Sequence, residues 1–396
     1  MSSVPPAGRG FFPLDEQLGL LACGYSPVLV EAMVRLGARL PFAVVAEEMA
    51  RLFGVSVSPD TVRRLTEEAG AVQAGIEQRE LERVEHDAPA EVAGPAVQQV
   101  SADGCMISLN DGRWTEVRTI AIGQITEQED GEPTVHDISY FSRHGSADAF
   151  IRQATLPTHE RGTRQADTVA AVMDGASWLQ ELISEQCPAA IRILDFPHAA
   201  GYLHSAADAA FGAESSEAAP WLDEWVPRFK TEEPEVTLMA LRALPTPTAE
   251  AATVKGTAIR YLGSRKEQIR YAQFREQGLP IGSGMVESAG KLVVEARLKG
   301  SGMHWAARHL NPLLALRSRL CSGQWDRSWP SLQQRWRHEK RERQRQQRRA
   351  RQAQRVSEMA VAETDLPPTE PREKTIRDGR PTPAHPWYGH RDIYAA

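Results

Sequence analysis

The chain has 396 residues, a formal net charge of −6 and four cysteines. This length predicts two or three domains, each large enough to bury a core without disulfide bonds. Because the cysteines are far apart and form no CxxC pair, neither a zinc knuckle nor a disulfide framework is expected, and a reducing cytoplasm fits best. The sequence contains neither an apolar run of about eighteen residues nor a signal-peptide pattern, so we expect no membrane insertion and no secretion.

Charge is segregated along the chain. The stretch Glu77–Glu91 is acidic, whereas Arg335–Arg355 is dominated by arginine. Arginine pairs well with phosphate oxygens, so the basic stretch is either a contact to a nucleic-acid backbone or a solvated helix or tail without a specific partner. The last forty residues are Pro-rich and charged, which predicts disorder.

The N-terminal part carries start and stop signals for three helices. Ser26-Pro27 and Ser58-Pro59 each combine a capping serine with a proline suited to the first helical turn. Gly54 follows the second apolar periodic segment and suits a left-handed helix end. These signals predict a helix-turn-helix pattern with Gly54 in the turn.

A helix-turn-helix domain over residues 1–75 would place its third helix in a DNA major groove. Thr61, Arg63 and Arg64 would then face the DNA. The alternative is a small helical bundle used for dimer contact or for packing on the next domain. Residues 76–95 are predicted to be a linker with helical character.

From about Ala96 the pattern changes from helical to strand-like. Three segments rich in β-branched residues are separated by the turn signals NDGR and EDGEP, which predicts three antiparallel strands. A helix, a strand, a helix, a strand and a helix follow. This order predicts an α/β ribonuclease-H-like fold, a mixed sheet with helices on both faces. The predicted parts are a catalytic core over 96–212 and 281–330, a helical insertion over 213–280, and a basic segment with a disordered tail over 331–396.

Three acidic residues are candidates for phosphodiester chemistry. The strand order places Asp103 in the first strand and Asp174 at the end of the fourth, which are neighbouring positions in such a sheet. Glu287 lies in the first turns of a helix that follows a Gly-Ser-Gly turn. Two such carboxylates repel each other unless a divalent cation offsets their charge. Two metal ions about 3.5 to 4 Å apart can activate a water or hydroxyl and stabilise the leaving oxygen.

Each acid also has a structural alternative. Asp103 and Asp174 both precede glycine and suit a turn, and Glu287 suits the dipole at a helix start. Asp195 and His198, in the sequence D-F-P-H, are either a metal-ligand pair or DNA contact, or a helix cap with a locally bonded histidine. Spacing favours the cap, because a single histidine is a poor transition-metal site.

Lys291, Arg297 and Lys299 lie on or just after the Glu287 helix and are candidate DNA contacts. Lys291 is four residues beyond Glu287, so an ion pair between them is expected. If the carboxylate holds a metal ion instead, the lysine is available for a phosphate.

Five segments together resemble a known family. They are SADG, VMDGASW, ILDFPHAAGYL, PIGSGMVESAGKLVVEARLKGSGMHW and LLALRSRL. They resemble the motifs of ISKra-type insertion-sequence transposases, which are related to the Mutator-like and hAT superfamilies of DDE recombinases. The likeness covers roughly residues 10–330, and the block around Glu287 is its most specific part.

The resemblance implies a DDE transposase with Mg²⁺ or Mn²⁺ as cofactor. Its partners would be the inverted-repeat ends of the element and target DNA, bound by a homodimer or larger assembly in the bacterial cytoplasm at the nucleoid. Asp195 to His198 matches a C/D(2)H motif of the related superfamilies. Asp174 is therefore preferred as the second ligand, with Asp195 as runner-up. A domesticated or inactive transposase that acts as a DNA-binding regulator is the alternative function.

Overall fold

The computed structural model describes residues 24–127, 133–212, 215–364, 375–378, 380–383 and 385. The chain up to Arg337 forms one compact unit, and the residues from His338 onward form a second. Helices and strands are numbered below in chain order.

The described part of the first unit begins with three helices, α1 (Pro27–Gly37), α2 (Phe42–Phe53) and α3 (Pro59–Asp87). Their predicted signals are confirmed. The Ser26 hydroxyl accepts a hydrogen bond from the Leu29 amide, and the Ser58 hydroxyl accepts one from the Thr61 amide. Gly54 ends α2 in the left-handed conformation, with φ at 64°. The first turn of each capped helix is thus fixed by the residues that predicted it.

Helix α3 is 29 residues long and passes through residue 75, the expected domain boundary. Its first half packs its apolar side, including Val62, Leu65 and Ala69, in one core with α1 and α2. Further along, the buried carboxylate of Glu77 accepts hydrogen bonds from Arg143 and Arg319. One continuous helix therefore joins the N-terminal helices to the rest of the unit.

Within the described residues, five strands form one mixed sheet in the order β3-β2-β1-β4-β5. The strands β1, β2 and β3 are antiparallel, whereas β4 and β5 run parallel to β1. The expected succession of strands and helices is confirmed, except that two short helices stand where one was expected after β3. Its members are β1 (Val97–Ser108), β2 (Trp114–Glu127), β3 (Pro133–His144), α4 (Ala147–Gln153), α5 (Thr155–Glu160), β4 (Thr168–Met173), α6 (Ser177–Gln186), β5 (Ile191–Leu194) and α7 (Phe196–Phe211).

Helices cover both faces of the sheet. Alternate residues of β4 point to opposite sides, so Ala171 joins the core formed with α4 and α6, while Ala170 and Val172 join the core formed with α7. The four helices of the predicted insertion pack on the α7 side. They are α8 (Ala218–Thr231), α9 (Pro234–Ala243), α10 (Ala249–Ser264) and α11 (Tyr271–Glu276).

The remaining helices begin with α12 (Gly284–Ala289), which passes through a π-helical segment (Gly290–Glu295) into the single turn α13 (Ala296–Leu298). Helix α14 (Leu310–Cys321) then lies along the edge strand β3. Its side chains Asn311 and Ser318, and Ser322 just beyond it, accept hydrogen bonds from backbone amides of β3. These bonds satisfy donors that an edge strand otherwise leaves unpaired.

Helix α15 (Trp325–Thr364) begins in the first unit and continues into the second. Two further short strands, β6 (Ile376–Arg377) and β7 (Arg380–Pro381), pair antiparallel in the second unit. Of the tail expected to be disordered, residues 357–364 are thus helical, and most of the remainder lies outside the described residues. No helix in the described part of the chain has the length and apolar character needed to cross a bilayer.

Candidate functional site

Asp103 and Asp174 come from neighbouring parallel strands. The β1–β4 pairing runs from Val97–Thr168 to Val100–Ala171, with a constant offset of 71 residues (171 − 100). The observed pairing ends there, and the same offset, continued for three residues, would set Asp103 level with Asp174 (174 − 103). Because adjacent strands are about 4.8 Å apart, that alignment would bring the two carboxylates to one point of the sheet.

The turn after β4 fixes the position of Asp174. Its Oδ1 atom accepts a hydrogen bond from the Ala176 amide at 2.9 Å. Gly175 has φ at +84°, and a Cβ atom there would lie 2.7 Å from the Tyr261 hydroxyl. Both the left-handed backbone and the close approach require glycine. The Asp-Gly pair is therefore a turn, and that turn also carries the candidate ligand.

Glu287 lies on α12, which covers the face of the sheet that carries Asp103. Alternation along β1 puts Ser101 and Asp103 on the same face. Ala121 of β2 lies directly opposite Ser101 and packs against α12 residues Met285, Val286 and Ala289. The carboxylate trio, as we call Asp103, Asp174 and Glu287, is thus drawn from three separate elements.

Other acids act on the charge of Asp103. Burial and, to a lesser extent, the negative charges of Asp174, Glu287 and Glu116 raise the pKa of Asp103, against the opposing effect of a hydrogen bond from the Gly104 amide. Within the described residues, none of the three forms an ion pair with Lys, Arg or His. The trio is therefore a set of acids none of which is paired with a cationic side chain in the described part of the chain.

The trio does not form a finished metal site. Among the residues that the structure describes, no group of three or more His, Cys, Asp or Glu side chains is arranged so that it could hold a metal ion. Holding a divalent cation would require the three side chains to turn toward a common point. Their donor chemistry suits this purpose, because hard cations such as Mg²⁺ take carboxylate oxygens.

Asp195 has a structural role that separates it from Asp174. Only 3% of the residue is exposed. Its Oδ2 atom accepts a hydrogen bond from the His198 amide at 2.9 Å, which caps α7, and its Oδ1 atom accepts one from the Ser283 amide at 2.6 Å. The expected helix-capping role is confirmed, and both oxygens of Asp195 are occupied.

Two residues near Asp174 were missed by sequence reasoning. The Tyr261 hydroxyl donates to the Asp174 carbonyl at 2.7 Å, and the Arg265 guanidinium donates to the Gly175 carbonyl at 3.1 Å. Burial is the main cause that raises the pKa of Tyr261 to about 12, so its hydroxyl stays protonated at neutral pH. Both residues belong to the predicted insertion. The sequence signal that could have indicated them is the pairing of an aromatic and a cationic residue at the end of α10.

A family model covers most of this architecture. It matches residues 11–334 and is described as Uncharacterised protein family UPF0236. The chain belongs to this family. No curated protein matches it. The UPF0236 match spans the helices α1 to α3, the sheet and α12, and therefore includes every member of the carboxylate trio.

The candidate DNA contacts of α3 in this UPF0236 protein are engaged by acidic neighbours. Arg63 pairs with Asp60 and with Glu67, each at 2.7 Å, and the hydrogen bond with Asp60 is the main cause that raises the pKa of Arg63. Arg64 is 3.4 Å from Glu68, and the Thr61 hydroxyl lies 3.0 Å from that of Ser58. The front of α3 therefore offers little free positive charge.

Arg297 is a correction to the candidate DNA contacts. Only 2% of the residue is exposed, its Nε atom donates to the Gly37 carbonyl, and its guanidinium lies against the rings of Phe42 and Trp305. Burial and the nearby Arg317 lower its pKa to about 10. A guanidinium enclosed between two aromatic rings cannot reach a DNA phosphate.

The two candidate lysines of this region differ in their surroundings. Lys299 donates to Glu295 at 2.7 Å. Lys291 is exposed, and the described residues contain no ion pair between it and Glu287, contrary to expectation. The helix changes from α to π form at Gly290, which alters the alignment that an i, i+4 pair needs. Lys291 thus remains exposed, four residues beyond Glu287 in the chain.

Proposed function

We propose that this UPF0236 protein is a DDE transposase, which cuts DNA at the ends of a mobile element and joins those ends to target DNA. The observation that carries the proposal is the carboxylate trio. Its members come from β1, the turn after β4 and α12, and the pKa of Asp103, raised mainly by burial, is raised further by the charges of Asp174 and Glu287. Ionising the partly buried Asp103 beside two other acids is costly to the fold, and functional sites are where such costs are retained.

The fold and the sequence resemblance support the same function. A sheet of order β3-β2-β1-β4-β5 with helices on both faces has the architecture we expected of a ribonuclease-H-like fold. The block around Glu287 most resembles ISKra-type transposases. It includes the loop that leads into α12, α12 itself and the π-helical segment. Single π-helical turns within α-helices are frequent at functional sites.

The proposed cofactor is Mg²⁺ or Mn²⁺. Asp103 and Asp174 each use one carboxylate oxygen to accept a backbone hydrogen bond, and their other oxygens make no hydrogen bond within the described part of the chain. The trio would hold the metal, which would activate a water or 3′ hydroxyl and stabilise the leaving oxygen. No side chain is then required as a covalent nucleophile.

Two features favour a DNA partner. Arg265 lies beside the Asp174 turn, where its guanidinium donates to the Gly175 carbonyl and lies over the Tyr261 ring, and no acidic side chain among the described residues neutralises its charge. In the second unit, Arg348, Arg349 and Arg351 of α15 are exposed. Phosphate contacts of this kind supply sequence-independent affinity. A homodimer or larger assembly would bring two element ends together.

The test is a cleavage assay with DNA duplexes that carry the inverted repeats flanking the gene. With Mg²⁺, the wild type should nick the duplex and leave a 3′ hydroxyl. Asp103→Asn, Asp174→Asn and Glu287→Gln should bind the duplex without cleaving it. Glu295→Gln is the matched control, because it changes an acid on the π-helical segment that pairs with Lys299, and it should leave cleavage intact.

Two results would contradict the proposal. A wild type that binds these ends but does not cleave them would indicate the alternative, a DNA-binding regulator. Cleavage that survives in Asp174→Asn but is lost in Asp195→Asn, with Asp195→Asn folded, would transfer the second ligand to Asp195.

A further inference from the structure

The segment Asp195–His198 forms hydrogen bonds with two turns. One turn carries Asp174, and the other precedes the helix of Glu287. The Asp195 amide donates to the carbonyl of Met173, the residue just before Asp174, at 2.7 Å. On the other side, the Phe196 amide donates to the Ile281 carbonyl at 2.9 Å, and the Asp195 carboxylate accepts from the Ser283 amide. Ser283 is the residue that immediately precedes α12. One short segment therefore holds the ends of two elements that supply candidate ligands.

A second set of contacts reaches Asp174 from the insertion. A phenol has one proton, and the Asp174 carbonyl can only accept, so the Tyr261 hydroxyl donates that proton to the carbonyl. The Nε2 atom of His198 lies 3.4 Å from the same hydroxyl, so the histidine must be the donor there. Tyr202 stacks on Tyr261 with 4.2 Å between ring centroids and contacts His198 edge-on. The ring of Tyr261 is thus held on one side by α7.

These contacts reach the backbone of the candidate site and not its carboxylates. Asp195 bonds amides, and Tyr261 bonds a carbonyl. The side chains of the trio keep the oxygens that a cation would take. Within the described residues, no three acids are arranged to hold a metal ion, so the carboxylates would have to turn to reach one. The backbone positions set how far each of them would have to turn.

We propose that Asp195, His198 and Tyr261 are positioning residues, which hold the Asp174 turn and the start of the Glu287 helix in register with Asp103. The inference rests on the proposed function for its metal. Partners that orient the ligands of a metal site typically change metal affinity by about 10-fold to 100-fold when they are mutated.

The experiment compares Tyr261→Phe with Thr66→Val in the full-length chain. The two substitutions are matched, because the buried Thr66 hydroxyl of α3 also donates to a backbone carbonyl, that of Val62, at 2.8 Å. Mn²⁺ binding is titrated calorimetrically without DNA, and amide hydrogen exchange is followed in residues 174–178. Tyr261→Phe should weaken Mn²⁺ binding about tenfold and speed exchange in this segment. Thr66→Val should leave both unchanged, although it lowers stability.

Each failure has its own signature. Wild-type protein that binds no Mn²⁺ overturns the proposed function and with it this inference. Wild-type protein that binds Mn²⁺ while Tyr261→Phe binds it equally well, with unchanged exchange, overturns the positioning role alone. Equal weakening of Mn²⁺ binding in both variants also overturns it, because the effect then follows general stability.

Discussion

Replacing Asp195 by asparagine tests whether this carboxylate holds the fold, in contrast to Asp174, the proposed metal ligand. The wild-type carboxylate accepts backbone hydrogen bonds of 2.6 Å and 2.9 Å, from Ser283 and His198. The asparagine side chain keeps one oxygen and places an NH₂ group where the other was. One of the two amides then meets a donor instead of an acceptor, at a residue that is only 3% exposed.

The size of the effect follows from these contacts. A hydrogen bond to a charged group contributes about 1.5–3 kcal/mol, and a buried donor left without an acceptor costs about 1–3 kcal/mol. We therefore expect Asp195→Asn to lower the free energy of unfolding by about 3–5 kcal/mol, a large part of the 5–15 kcal/mol typical of a folded protein. Asp174→Asn changes a half-buried group with one hydrogen bond of 2.9 Å, so its cost should stay below about 1 kcal/mol.

Urea unfolding followed by circular dichroism measures both variants. The expected pattern is a clear fall in the urea midpoint for Asp195→Asn and a midpoint near wild type for Asp174→Asn. Equal midpoints for wild type and Asp195→Asn would refute the structural role of this carboxylate. A larger loss for Asp174→Asn than for Asp195→Asn would reverse the assignment.

Three further substitutions, two of them with a matched control, test other parts of the structure. Because burial and like charges raise the pKa of Asp103, its ionisation costs stability at neutral pH. Asp103→Asn should therefore raise the melting temperature at pH 7. Calorimetry should show that this gain vanishes as the pH falls below about 4. Glu77→Gln removes the charge that faces the buried Arg143 and the partly buried Arg319, and it should lower the free energy of unfolding in urea by about 3–5 kcal/mol. Its control is Glu160→Gln, which removes a surface partner of Arg319 and should cost less than about 1 kcal/mol. Gly175→Ala should destabilise by at least about 1–2 kcal/mol because φ is +84°, while Gly256→Ala, inside α10 with open space around it, should be neutral or stabilising in the same assay.

The elements that sequence predicted well are those with local causes. A serine before a proline supplies a cap and a first turn, so the starts of α1 and α3 could be placed to the residue. Alternation and turn signals placed the three antiparallel strands. The offset of 71 residues between Asp103 and Asp174 was visible in the sequence, but only the β1–β4 pairing shows that it is a strand register.

The features that sequence missed depend on distant partners. Helix α3 continues past residue 75, and there the buried Glu77 accepts hydrogen bonds from Arg143 and Arg319. These two arginines follow Glu77 in the chain by 66 and 242 residues. Arg297 was expected on a surface, because nothing near it in sequence shows that Phe42 and Trp305 enclose it. Tyr261 bonds Asp174 from 87 residues away. A single sequence carries no local signal of such contacts.

The choice between Asp174 and Asp195 shows the same limit. Both acids follow a buried strand and precede a helix, so spacing alone treats them alike. The structure distinguishes them by their hydrogen bonds, since Asp195 accepts two and Asp174 one, and by burial. Sequence favoured Asp174 only through the companion D-F-P-H motif. The mutations above test that preference directly.

The long sequence separation within the candidate site also bears on how the protein is made. Tyr261, which donates a hydrogen bond to the Asp174 carbonyl, is synthesised 87 residues after Asp174. Ser283, which donates one to the Asp195 carboxylate, is synthesised 88 residues after Asp195. Glu287 is synthesised 113 residues after Asp174 (287 − 174). At about 5–20 residues per second, the ribosome needs roughly 6–23 s to cover that interval. The five strands can therefore pair before the third carboxylate exists, so a chain whose translation stops early has a sheet without a complete acidic centre.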